Sequence, residues 1–256
     1  MRTSILVIYG DGINCERETA RAFETVSAPD QIVTHLMHVN EFLKKPEVLL
    51  EHQIFCIPGG FSFGDELRSG KILAEKMRTS MTTVFEKFTK TGGLTLGVCN
   101  GFQVLIQLGV FTGIRELRTV TLATNDHGKF LDRWVEVKIT KEAEKSPWFK
   151  GMTGTLKLPM RHKEGRIVVQ DEKAASALHI PLQYLEDVNG AHSRAAGLLD
   201  ASGQILGLMP HPEAALHSFL NPLAISTEAK EKNAMLVRTL FQNALQFQQA
   251  KGTLHT

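Results

Sequence analysis

Cysteine, histidine and glutamate stand in this sequence at spacings suited to acyl-transfer chemistry. Cys99 lies in Gly97-Val-Cys-Asn-Gly101, between a short apolar run, Leu94 to Val98, and a stretch with apolar residues at helical spacing, Phe102 to Leu108, stopped by Gly109. A strand that turns sharply into a helix strains the residue at its apex. Side chains on either side of that residue would collide with the two elements, which accounts for both glycines. The apex side chain is held over the sheet edge, and the unpaired N–H groups of the following helix favour the thiolate, the reactive form of cysteine. A cysteine buried in a tight turn would fit the same five residues, so the partners elsewhere in the chain decide the matter.

A catalytic cysteine needs a base, and the base needs a group to orient it. Met209-Pro-His-Pro-Glu213 follows an apolar run, Ile205 to Met209. Its two prolines disfavour helix and ladder, so the expected conformation is extended, with His211 and Glu213 two apart on one side. Glu213 can then hold one imidazole nitrogen and leave the other for the thiol. The plain alternative is a histidine satisfied within a turn. Ile57-Pro-Gly-Gly-Phe-Ser-Phe-Gly-Asp65 closes another apolar run. Its glycines let backbone N–H groups approach a ligand, and one of them with the Asn100 N–H would make a donor pair for a developing oxyanion. A glycine-rich turn without function is the competing reading.

These segments need a scaffold that delivers them to one edge. Ile5 to Tyr9, Gln31 to Val39, Gln53 to Ile57 and Leu94 to Val98 read as buried strands. They alternate with helical segments at Glu16 to Thr25, Glu41 to Glu51 (broken at Pro46), Lys71 to Met77 and Thr82 to Thr91. Such alternation predicts an α/β fold with a mainly parallel sheet covered by helices on both faces and chemistry at the carboxyl ends of the strands. Beyond about Thr119 shorter strands follow, which predicts a largely antiparallel extension, with a hairpin turn at Asp200 to Gly203. Thr227 to Gln249 reads as a closing amphipathic helix. No linker or repeat interrupts the chain, and one domain over residues 1–256 is expected.

Bulk properties narrow the function classes. A net charge of +2 gives no field that argues for nucleic acid or an anionic membrane. Cys15, Cys56 and Cys99 are an odd set without C-x-x-C spacing, which speaks against a disulfide framework or zinc knuckle and for a reducing compartment. No metal site is expected: His35 and His38, three apart on a strand, face opposite ways. The N-terminal apolar run is too short for a signal segment, and no stretch approaches the roughly 20 residues of a spanning helix. A cytoplasmic protein is expected. Gly10-Asp-Gly12 lacks the third glycine of a dinucleotide loop, so a plain strand-to-helix turn is read there, with no nucleotide site on this chain. Cys56 reads as core and Cys15 as structural. Arg161, His162, Lys163 and Arg166 form a basic cluster that could meet a phosphate or an acidic partner, or could be a solvated loop.

Taken together, GVCNGFQ, PGGFSFGD and MPHPE resemble the class I (triad) glutamine amidotransferases, a flavodoxin-like, three-layer family. INCERETARAF, PGGFSFGDELRSGKILA, CNGFQVL and RHKEGR are similar, within that family, to the glutaminase subunits of phosphoribosylformylglycinamidine synthases. The resemblance covers most of the chain, from the first strand to the His-Pro-Glu segment. It implies that Cys99 attacks the glutamine side-chain amide to form a glutamyl thioester. His211 would move the protons and Glu213 would orient it, with Gly60 and Asn100 as oxyanion hole and Gly59, Phe61 and Gln103 holding glutamine. It further implies no cofactor on this chain and a synthetase partner, joined or not by a small third subunit. That partner would use ATP and Mg to convert formylglycinamide ribonucleotide to the amidine in purine biosynthesis. The alternative is a stand-alone cysteine hydrolase of γ-glutamyl hydrolase or peptidase type. Three positions depart from the usual family text: Lys163, Ala214, and Ile13 before Asn14-Cys15.

Overall fold

The computed structural model describes residues 2–112 and 118–253. The first half runs β1 (Thr3–Tyr9), α1 (Glu16–Thr25), β2 (Ile32–His38), α2 (Val39–Lys44), a 3-10 turn at Pro46–Glu51, β3 (Ile54–Ile57), α3 (Lys71–Lys90), β4 (Leu94–Val98) and α4 (Asn100–Leu108). There follow β5 (Val120–Thr124), β6 (Leu131–Ile139), β7 (Thr155–His162), β8 (Glu164–Val169), the short α5 (Glu172–Ser176) and β9 (Leu182–Tyr184). β10 (Gly197–Leu199), β11 (Ile205–Leu208) and α6 (Thr227–Thr253) complete the described chain. The main sheet has the order β10-β11-β4-β3-β1-β2, parallel throughout except where β10 pairs with β11.

Strand periodicity sorts the core into two layers. Along β1, Ile5 and Val7 face a cluster with Phe23 of α1 and Val237, Leu240 and Phe241 of α6. Leu6 and Ile8 face the opposite cluster, with Phe42 of α2 and Leu73, Met77 and Phe85 of α3. The side chains of α4 divide between the two, Phe102 and Ile106 on one side, Val104 and Leu105 on the other. Period-2 alternation with both faces apolar is what a parallel sheet between helical layers requires. Phe23 and Phe241 meet edge to face, 5.1 Å between centroids, and lock α1 to α6 with about 0.5–1.5 kcal/mol beyond area burial. No helix among the described residues is long and apolar enough to cross a membrane.

The extension is two small antiparallel sheets, β5-β8 and β7-β6-β9. Two details differ from the expectation. The Asp200–Gly203 hairpin forms, with Ile205 N donating to Asp200 Oδ1 at 2.8 Å, yet β10 and β11 join the main sheet and not the extension. The two helical segments expected between residues 71 and 91 are one helix. The hydroxyls of Thr79, Ser80 and Thr82 donate to the carbonyls four residues back, which absorbs their polarity inside the helix. β7 runs past Pro159 to His162 because it is the edge strand of its sheet, where a missing N–H leaves no ladder bond unmade.

Candidate active site

Three adjacent strands, β11, β4 and β3, end at one edge of the main sheet and deliver the three segments singled out above. Cys99 N donates to Leu208 O at 2.7 Å, so Cys99 leaves β4 beside the start of the Met209–Glu213 segment. Cys99 has φ 49° and ψ −104°, a region L side chains rarely occupy, as an elbow demands. A Cβ on Gly101 would fall onto the Ile57 carbonyl oxygen, and one on Gly97 would lie 2.8 Å from the Gly101 oxygen. The turn closes only with glycine at both places.

His211 and Glu213 meet as expected, Nδ1 to Oε1 at 2.6 Å, with both residues buried. The route differs from the expectation. His211 itself is extended, but Pro212–Ala214 is a 3-10 turn with Pro212 in its first positions, where a missing N–H costs nothing. His211 N is anchored on Pro159 O at 2.8 Å. Burial alone would lower the proton affinity of His211. The Glu213 carboxylate, with the Cys15 and Cys99 sulfurs beside the ring, outweighs it and raises the group well above the ordinary imidazole value.

The loops after β1 and β3 are laced together. Phe61 N donates to Gly12 O at 2.7 Å, Phe63 N to Asp11 O at 3.0 Å, and Asn14 N to Gly59 O at 3.2 Å. Gly60 has φ 139°, and a side chain there would strike the Gly12 to Asn14 backbone. This lacing carries Cys15 into the site. Its Sγ, with donor atoms of His211 and Glu213, forms a group within 4.8 Å that could hold a metal ion, although His211 and Glu213 already use their facing atoms on each other. The sequence reading gave Cys15 no chemical place, and no local signal marks it. Burial, set against the pull of His211, pushes the Cys15 thiol up.

A cleft of about 260 Å³ opens over Cys99. Gly60, Phe61 and Gln103 line it, while Gly59, Asn100, His211 and Glu213 are buried and do not line it. Phe61 is half exposed at the rim, with Phe130 6.4 Å away between centroids. Asn100 Nδ2 donates to Asp65 Oδ1 at 3.1 Å and to Gln103 Oε1 at 2.9 Å, and its Oδ1 accepts from Ser62 N. Burial pushes the Asp65 carboxyl up, against the hydrogen bonds it accepts. The other wall is the β7-β8 hairpin, which supplies Arg161, His162, Lys163 and Glu164. The basic cluster therefore lies on a hairpin beside the cleft, with His162 buried and the Arg161 and Lys163 side chains exposed. Gln103 Nε2 donates to Glu164 O at 2.6 Å, and the Arg161 carbonyl lies 3.5 Å from Cys99 Sγ.

Comparison with known proteins agrees with this architecture. Residues 2–248 match the model of a CobB/CobQ-like glutamine amidotransferase domain. Phosphoribosylformylglycinamidine synthase subunit PurQ of Methanococcus maripaludis is 34% identical over 96% of this chain and 96% of its own length. The corresponding subunit of Dehalococcoides mccartyi is 32% identical over 96% of this chain and 98% of its own. Among solved structures, a chain of PurLQS from Thermotoga maritima superposes with a TM-score of 0.74 at 28% identity, covering 96% of this chain and 99% of that one.

Proposed function

This chain belongs to the glutamine amidotransferase family, in the branch of the PurQ subunits, and from that premise we propose how its own residues serve as the glutaminase of a phosphoribosylformylglycinamidine synthase. Cys99 attacks the side-chain carbonyl of glutamine with its proton already held by His211, whose raised affinity keeps it there. Glu213 keeps the imidazole aligned through the 2.6 Å bond and stabilises its charge. The oxyanion meets the N–H groups of Gly60 and Asn100; Asn100 opens α4, where an N–H has no partner within the helix. His211 then returns the proton to the departing nitrogen, ammonia leaves, and water hydrolyses the glutamyl thioester. Gly59 and Phe61 shape the entry, and Gln103, held by Asn100 and Glu164, positions the substrate.

The observation that carries the reading is a strained Cys99 that lines the cleft, with a buried, carboxylate-held His211 packed beside it at Gly59. Ammonia passes to a synthetase that binds ATP and Mg and converts formylglycinamide ribonucleotide to the amidine. The PurLQS assembly supports a small third subunit beside it. We read the chain as one domain, since a single apolar cluster runs from β1 through β6 and β7 to α6, and as cytoplasmic, where that pathway's substrates are. The test is amidine synthesis by the synthetase with ATP. Glutamine should support it only with this chain present, ammonium without it, and Cys99→Ala should abolish the first and spare the second. Glutamine use retained in Cys99→Ala would sink the triad.

A further inference from the structure

The cleft over Cys99 carries charge on both walls. Asp65, from the loop after β3, lines one, and Arg161 and Lys163 of the β7-β8 hairpin line the other. Asp65 is held in place. Its Oδ1 accepts from Asn100 Nδ2 at 3.1 Å and from Gly70 N at 3.2 Å. Its backbone has φ 52°, a left-handed conformation that Asp and Asn tolerate better than other side chains. Both bonds fall on Oδ1, which leaves the acceptor positions of Oδ2 to the neighbouring Ser69 and to a ligand. No basic side chain pairs with Asp65 among the described residues, whereas Arg161 has Asp132, with Nε 3.6 Å from Oδ1. A half-buried carboxylate is thus fixed in the cleft without a cation of its own.

Free glutamine supplies one. Beyond its amide it carries an ammonium and a carboxylate on one carbon, and in extended form the α-nitrogen lies about 5 Å from the amide carbon. With that amide at Cys99, the ammonium needs a receiver further along the same cleft. We infer that Asp65 is a substrate-contacting specificity residue whose carboxylate receives the α-ammonium of glutamine, with the α-carboxylate toward Arg161 and Lys163. This rests on the reading of the cleft as a glutaminase site. A hydrogen bond between opposite charges is roughly twice as strong as a neutral one, so the contact can select. Asn100 joins it to the chemistry, since the residue whose side chain steadies Asp65 also opens α4 with the N–H assigned to the oxyanion. The substrate class narrows accordingly. A free amino acid is taken, and a glutaminyl residue inside a peptide, whose α-nitrogen is an uncharged amide, is refused.

The test removes each half of the contact in turn. Glutaramate is glutamine with hydrogen in place of the α-ammonium group. In the complex with the synthetase, Asp65→Asn should lower kcat/KM for L-glutamine roughly 10- to 100-fold and leave glutaramate within about twofold of native. Asparagine keeps an acceptor for Asn100 and suits φ 52°, so the loop stays in place. Iodoacetamide should alkylate Cys99 in the variant at the native rate. Where glutaramate turns over too slowly to follow, its inhibition constant against glutamine is read instead and should be unchanged. Equal losses on both compounds place Asp65 in a structural role through Asn100 and overturn the inference, as does an undiminished glutamine rate. Glu164, the other carboxylate of the cleft, is the control. A selective loss of glutamine in Glu164→Gln but not in Asp65→Asn also overturns it. Should the asparagine variant fail to fold, Asp65→Gly, unstrained at that φ, carries the same expectation. A native complex that does not hydrolyse glutamine overturns the glutaminase reading itself.

Discussion

Replacing Gly59 by alanine adds one methyl group at the most crowded point of the site. The new carbon would lie 2.8 Å from His211 Cε1, 3.3 Å from Cys15 Sγ and 3.5 Å from Cys99 Cβ. Gly59 is not among the residues with positive φ, so the backbone accepts alanine and the effect comes from contact alone. Carbon atoms settle about 3.5–4.0 Å apart, which asks the imidazole to retreat by roughly 0.7–1.2 Å. Glu213 blocks one direction of retreat, because the Nδ1 to Oε1 distance is already 2.6 Å. A displacement of about 1 Å in a catalytic group costs on the order of 100-fold in rate. Overpacking of this size costs about 1–3 kcal/mol of stability. Gly59→Ala should therefore lose about 100-fold in kcat for glutamine, measured as glutamate release with the synthetase present. Urea titration in parallel should show a folded protein that is modestly destabilised. A kcat within about threefold of native refutes the spacer role of Gly59, and so does a loss accounted for entirely by unfolding.

Two further outcomes follow from His211. Its proton affinity is raised in the fold, so the stability contributed by the His211–Glu213 pair is complete below the unfolded value of about 6.5 and is lost as pH rises through the folded value. Glu213→Gln removes the carboxylate that outweighs burial. The gap in urea midpoint between native and variant should be widest near pH 6 and narrow toward alkaline pH; a gap that widens with pH refutes the sign. Cys15 also favours the protonated ring, so Cys15→Ala should move the His211 limb of the kcat/KM pH profile to lower pH without slowing Cys99 alkylation. An unmoved limb would leave Cys15 with a packing role alone.

The parts of this protein written in local chemistry are legible in its sequence. The elbow needs two glycines within five residues, and Pro-His-Pro-Glu fixes a histidine and a carboxylate two apart; both signals survive in the sequence because their causes are local. Strand alternation likewise disclosed the parallel sheet, since both faces of β1 and β3 are apolar. What was misread depends on distant partners. The stretch between Met77 and Thr82 looks like a helix break until packing holds α3 through it. The charges of Arg161 to Arg166 left a ligand-facing cluster and a solvated loop both open, and only the pairing of β7 with β6 and of β8 with β5 puts Arg161, His162 and Lys163 at the rim of the cleft. Cys15 reaches His211 only through backbone bonds between two loops, and His162 reaches the cleft through the register of a hairpin; neither leaves a mark on its neighbours in sequence.

The neighbourhood of β4 and β11 bears on how the enzyme is made. Under the proposed roles, nucleophile and base sit on adjoining strands while the chain between them builds the whole extension. A ribosome adding about 5–20 residues per second needs roughly 5–20 s for the 110 or so residues from Cys99 to His211. During that interval β1 to β4 can assemble around Cys99, but β4 keeps an open edge and the thiol has no base. Nascent chains, and fragments from early termination, are therefore born inert toward glutamine. Under these roles hydrolysis begins only once the chain through Glu213 has emerged, which spares the cell's glutamine pool from shorter nascent chains.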